Sequence, residues 1–233
     1  MSNGASAGLA RNWWWGFVLF TGVSLVHIVG TFWPNWAGDN LTKLMLMPAL
    51  AIAVMWALRG TRSRAVTVPA TLLLLAIAFS WLGDGAGTFF PGLPELPVML
   101  GCFGVAHALY IWLFWKKLDP RPVPRWAAVY VLWWVVLILI LLPHTGNLAI
   151  AVALYGLLLG GTAFAAARYW PFIALGAVLF LLSDTVLAFK LFLPETGTLW
   201  TSPIIMLTYC AGQGLMSYGV VRLLQQARIQ EAR

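Results

Sequence analysis

The sequence predicts an all-α, polytopic membrane protein of eight transmembrane helices, and three observations carry that prediction. Hydrophobic residues fill 61% of the 233 positions and charged ones only 9%, which leaves too little polar surface for a protein that faces water on all sides. The apolar residues come in runs of about 20, the length that crosses a hydrocarbon core. The few basic residues fall in alternate loops, as membrane topology demands.

The spans follow in order. A tail, 1–11, holds only Arg11 and no small-residue cleavage site, so it leads into a retained first span rather than a removed signal. Span one covers 12–33, starts with the Trp cluster 13–15 as an interfacial belt, and stops at Pro34 and Gly38. Span two, 40–58, ends at "RGTRSR"; span three, 65–84, at Asp84 and the turn-forming "PGLPELP". Span four, 97–115, meets "KKLDPRPVPR", span five, 125–143, meets "PHTGN", and span six, 146–167, meets "ARYWP". Span seven, 170–193, is closed by "PETG", and span eight, 200–222, leaves a C-terminal tail at 223–233. One transmembrane domain, 12–222, is expected, with no soluble domain.

Arg11, then Arg59, Arg62 and Arg64, then Lys116, Lys117, Arg121 and Arg125, then Arg168, then Arg222, Arg228 and Arg233 all fall on one side of this eight-span layout. The opposite loops carry Asp39, Glu95 and Glu195. The positive-inside rule therefore puts both termini in the cytoplasm. The net charge of +7 is topological, and nucleic-acid binding is excluded as its explanation. Lys43 and Lys190 remain, near the outer helix ends, where a Lys snorkels to the interface. Cys102 and Cys210 sit inside spans, forming neither a disulfide framework nor a zinc spacing, and are expected to pack.

Charged side chains near a bilayer centre cost about 2.5–3.5 kcal/mol each by insertion scales and mark functional sites by default. "FSWLGD" places Asp84 at the outer end of span three, and "LFLLSD" places Asp184 about a third of the way into span seven at a rise of about 1.5 Å per residue. His27, His107, Tyr209 and Gln213 share the outer or central half. His27 is isolated and reads as structural, and His144 lies in a solvated outer loop. The motifs also repeat: after each acid come a proline, Pro97 or Pro203, and ten residues later a hydrogen-bonding side chain, His107 or Gln213. Such a repeat suggests a parallel four-plus-four duplication, whose axis along the membrane normal brings both acids toward one cavity. Tyr110 lies one turn after His107 and is expected to share that cavity.

Two carboxyl groups on one cavity divide the roles of proton donor and water activator, the equipment for hydrolysis through an oxocarbenium-like state. Capping or crosslinking of helices by each Asp is the structural alternative. A zinc site of His107 and the two Asp is another, although no ligand pair one helical turn apart supports it.

"KLMLMPAL", "FSWLGD", "GVAHALYIW", "GAVLFLLSDTVLAF" and "MLTYCAGQ", in this order from about residue 40 to 220, resemble the YhhN family, which includes the lysoplasmalogenases. The most specific part is "LLSD" with "TYxxxQ" downstream. The resemblance implies an eight-helix membrane hydrolase, without a cofactor, that cleaves the vinyl ether bond of alkenyl lysophospholipids. The products would be a fatty aldehyde and glycerophosphoethanolamine or glycerophosphocholine. It carries the family's polar set onto Lys43, Asp84, His107, Tyr110, Ser183, Asp184, Tyr209 and Gln213. Asp84 and Asp184 are expected to be catalytic, with Asp184 as acid and Asp84 as base or the reverse, and the other six to bind substrate. Family members tend to carry Lys-Pro where this chain has Lys43-Leu44. The expected partners are the lysophospholipid and the bilayer, and the expected location is a bacterial inner (plasma) membrane. A lipid or small-molecule transporter or receptor, binding at the same polar cavity without cleaving a bond, is the alternative function. Oligomeric state is not legible in the chain.

Overall fold

The computed structural model describes residues 12–33, 36–61, 63–119 and 121–231. The expected tail 1–11 with Arg11, and likewise Pro34, Arg62 and Arg233, lie outside them. The described residues fold into eight helices long and apolar enough to cross a membrane, and no strand occurs among them. The chain is thus an all-α integral membrane protein. Its helices are α1 (Gly16–Gly30), α2 (Asp39–Ala57), α3 (Arg64–Asp84), α4 (Glu95–Trp112), α5 (Val129–Leu141), α6 (Ala149–Ala166), α7 (Phe172–Phe192) and α8 (Thr201–Glu231). An extra turn, Ala86–Phe89, follows α3.

Span eight is longer than the sequence suggests. Instead of giving way to a tail at 223, α8 continues to Glu231, about 46 Å at 1.5 Å per residue and well beyond a hydrocarbon core of about 30 Å. Arg222, which looks like the end of an apolar run, lies 5.1 Å from the Phe172 ring. Gln225 then donates to the Ala57 carbonyl. Polar ties of this kind give no hydropathy signal, so the helix outruns the apolar segment.

Helix α8 is the hub, packing on α1, α2, α3 and α7, with α7 its most extensive neighbour. The closeness of α7 and α8 is written in glycine. A Cβ built on Gly176 would fall 2.7 Å from the Met216 backbone nitrogen and 2.8 Å from the Gly212 carbonyl oxygen, and one on Gly212 would fall 2.8 Å from the Phe180 backbone nitrogen. Backbone atoms cannot swing aside, so small residues are what let these two helices meet. Gly176→Ala is expected to destabilise the bundle by about 1–3 kcal/mol, the usual cost of overpacking. Thermal unfolding in detergent, followed by circular dichroism, checks this, and Gly22→Ala, where a Cβ meets nothing within 4 Å, is the control.

Proline sets a second contact. Pro48 lies inside α2 and has no N–H to give to the carbonyl four residues earlier. That carbonyl belongs to Leu44, and the Trp81 indole of α3 donates to it at 2.9 Å. The break in the α2 ladder thereby becomes a tie between α2 and α3, next to Lys43 and three residues before Asp84. Trp81 is also held by Phe89, ring centroids 4.6 Å apart.

At the first interface, Trp14 and Trp15 are about half exposed, and Trp13 lies 5.0 Å from the Tyr218 ring. Cys102 and Cys210 are free thiols.

Candidate active site

A cavity of about 830 Å³ opens between the helix ends remote from Trp13 and Gln230. Asp84, Ser183, Asp184 and Tyr209 line its floor, with Lys43, Glu95 and Lys190 toward its mouth. The rest of the wall is largely apolar, including Met99, Phe103, Leu187 and Ile205. The elements that hold the acids explain why they can be there. Asp84 is the last residue of α3, where the chain turns, and its neighbours leave room: a Cβ on Gly83 would meet the Phe103 ring at 2.6 Å and one on Gly85 the Phe89 ring at 2.3 Å. Asp184 lies in mid-α7, one residue after Ser183, whose hydroxyl donates to the Ile205 carbonyl of α8 at 3.0 Å. That bond ties the two helices directly beside the acid.

Both carboxyl groups are half-buried, and each is gripped by a tyrosine. The Tyr209 hydroxyl of α8 donates to Asp84 Oδ2 at 2.7 Å. The Tyr155 hydroxyl of α6 donates to Asp184 Oδ2. Asp84 and Asp184 also interact electrostatically, as do Lys43 and Asp84. Acid pairs that feel each other's charge while each keeps a fixed hydrogen-bond donor are well suited to hold unequal proton occupancy.

Not every expected residue faces the cavity. His107, Tyr110 and Gln213 are fully buried and stand behind the wall. His107 and Tyr110 share α4 but diverge: His107 Nδ1 lies 3.1 Å from Thr162 Oγ1 of α6, whereas the Tyr110 hydroxyl donates to Gln213 Oε1 of α8 at 2.6 Å. Gln213 in turn donates to Ser80 Oγ of α3 at 3.0 Å. The expected shared cavity for His107 and Tyr110 is therefore two separate interhelical crosslinks, because three residues along a helix is about 300° of rotation, and the remaining 60° is enough to aim them at different neighbours. For the zinc arrangement, the Tyr155 hydroxyl stands between His107 Nε2, 3.4 Å away, and Asp184.

One lysine and two histidines remain to be placed. Lys190 is exposed and lines the cavity, its ammonium donating to Ser202 Oγ at 2.8 Å. His27 is buried and bonds Thr42 Oγ1 through Nδ1 at 2.9 Å, with Asp39 3.8 Å away, so it organises the α1–α2 corner at the mouth. His144 is exposed.

Tyr155 and Thr162 escape a reading by motif. A tyrosine in mid-span is the available signal: aromatic hydroxyls concentrate at membrane interfaces, so one placed centrally in "AVALYGLLLG" needs a buried polar partner.

Among curated proteins and among solved structures, none matches the chain. The family model that matches covers residues 38–220 and takes in every residue that faces the cavity floor; on that match, together with the eight-span fold, the chain belongs to the YhhN family, whose members are lysoplasmalogenase-like membrane proteins.

Proposed function

We propose that the protein hydrolyses the vinyl ether bond of alkenyl lysophospholipids. The observation that carries this reading is the placement of Asp84 and Asp184, each held through Oδ2 by a tyrosine, on one cavity. Family membership supports it at the level of a lysoplasmalogenase-like protein.

The chemistry needs three things: a proton for the alkenyl carbon, a negative charge near the resulting oxocarbenium ion, and a base for water. Asp184, deeper in its helix, gives its proton to the alkenyl carbon β to the ether oxygen. Asp84 stabilises the cation, takes a proton from the attacking water, and returns it to the glyceryl oxygen as the hemiacetal collapses. The hemiacetal hydroxyl proton goes back to Asp184. The sum is vinyl ether plus water giving aldehyde plus alcohol, with both acids restored. Lys43 and Lys190 at the mouth attract the phosphate, and the alkenyl chain runs along the apolar wall. The basic residues on the side of the termini support a cytoplasmic location for both ends, and the membrane we assign is a bacterial inner membrane.

The test is release of aldehyde and of the water-soluble glycerophospho head group from an alkenyl lysophospholipid by purified protein in detergent. Both products are expected in equal amounts. Recovery of intact lipid from folded protein overturns the hydrolase and favours a carrier or receptor, which leaves its ligand whole.

A further inference from the structure

The Tyr155 hydroxyl hydrogen has two side-chain acceptors within reach. The Tyr155 oxygen lies between Asp184 Oδ2, to which it donates, and His107 Nε2 at 3.4 Å. The state of the imidazole follows from its other side. Thr162 Oγ1 directs its single hydrogen at backbone carbonyls, that of Leu158 at 3.0 Å, the usual back-bond of a helical threonine, and that of His107 at 3.4 Å. Toward His107 Nδ1, at 3.1 Å, the threonine therefore presents a lone pair, and Nδ1 carries the ring hydrogen. In a neutral imidazole Nε2 is then an acceptor, and it faces Tyr155.

Which acceptor wins depends on Asp184. An ionised carboxylate accepts a charge-assisted bond, roughly twice as strong as a neutral one, and draws the hydroxyl hydrogen to Oδ2. When the carboxyl is protonated on Oδ1, Oδ2 is only a neutral acceptor, and the imidazole nitrogen competes for the hydrogen. We propose that the Tyr155 hydroxyl is a rotor that points at His107 while Asp184 is protonated and turns to Asp184 as the proton leaves. Tyr155 is thus a positioning residue, and His107 with Thr162 forms its resting dock.

The inference rests on the hydrolase reading for its use, but not for its existence. In the reaction, the Asp184 Oδ1–H bond breaks as a C–H bond forms on the alkenyl carbon, and the electron pair stays on Asp184. The Tyr155 O–H bond rotates and does not break. The new hydrogen bond therefore strengthens only as charge develops, which lowers the barrier without tightening substrate binding. The other ionisable groups on the same cavity are Asp84 of α3, Tyr209 of α8, Lys43 of α2, Glu95 of α4, His27 of α1, Asp39 of α2 and Lys190 on α7 itself. Asp84 acts electrostatically on Asp184, so the experiment is run in Asp84→Asn as well.

Infrared difference spectra between acid and alkaline buffer, on purified protein with ring-labelled tyrosine and no substrate, read the rotor directly. Loss of the Asp184 protonated-carboxyl band is expected together with a shift of one tyrosine C–O band. Both disappear in Asp184→Asn. In Tyr155→Phe the tyrosine shift disappears while the carboxyl band remains. His107→Leu removes the dock and cuts the shift to the smaller part that comes from the Tyr155 bond to Asp184 strengthening in place, and His107→Gln, whose amide oxygen reaches roughly the Nε2 position, restores its full size. Retention of the shift in Asp84→Asn assigns it to Asp184. A carboxyl band that titrates in wild type with no tyrosine shift, a shift that survives Tyr155→Phe, or a shift of unchanged size in His107→Leu overturns the proposal. In turnover, Tyr155→Phe lowers kcat about 10-fold or more with KM unchanged. Coupled bands in a protein that releases no aldehyde support the rotor and count against the hydrolase alone.

Discussion

Asp184→Asn is expected to slow aldehyde release by about 10²- to 10⁴-fold, the range that a positioned general acid supplies. The substitution keeps the size of the side chain and an oxygen for Tyr155 to donate to, so the helices around it stay packed. What disappears is a transferable proton at the cavity. KM is expected to change little, because the lost interaction belongs to the transition state and not to binding. Asp84→Asn is expected to fall in the same range for a different reason: an amide still accepts from Tyr209 but neither balances an oxocarbenium charge nor takes a proton from water. Steady-state aldehyde release by the two variants and the double variant checks both. The double variant should be scarcely worse than the singles, since residues that act as one unit are not additive. Near-normal turnover in either single variant removes that acid from the mechanism.

Gln213→Leu is expected to act on stability. Gln213, Tyr110 and Ser80 are all fully buried, and the glutamine amide joins α4 and α3 to the hub helix through bonds of 2.6 and 3.0 Å. Leucine is of similar bulk but leaves the Tyr110 hydroxyl and the Ser80 hydroxyl without that partner. A buried orphaned polar group costs about 1–3 kcal/mol. Inside a membrane the lower half of that range applies, because the unfolded chain also finds partners in the bilayer. The sum for two groups is then about 2–4 kcal/mol. Thermal unfolding in detergent reads the loss. Placing Gln213 against substrate predicts the opposite pattern, a raised KM at normal stability, so one variant measured both ways decides which role the residue has.

Much of the candidate site is legible in the chain because acids in apolar helices are costly wherever they sit. Asp84 and Asp184 stand out by that cost alone, and the short motifs around them carry the family. Lys43 is visible as a cation at a helix end. Ser183 and Tyr209 are legible only as neighbours of the acids within those motifs. Tyr155 is the residue that pattern reading passes over: its helix is apolar apart from Thr162, and its importance lies in a bond to another helix 29 positions away. Direction is the second thing the chain leaves open. His107 and Tyr110 are neighbours on one helix face, yet the first reaches α6 and the second reaches α8.

The sequence by itself determined that this protein crosses a membrane eight times, where most of those crossings begin and end, and which side of the bundle collects the basic residues. Those properties follow from sums along the chain: apolar length against hydrocarbon thickness, and charge against the cost of moving it across. Tertiary structure alone decided that α8 runs on to Glu231, that Gly176 and Gly212 let α7 and α8 touch, and that Trp81 fills the gap left by Pro48. It also decided which polar side chains face the cavity and which lock helices together behind it. Those outcomes depend on pairwise contacts between helices far apart in sequence, where about 60° of rotation is the difference between touching a substrate and touching a neighbouring helix, and no periodicity within one span records the partner's position.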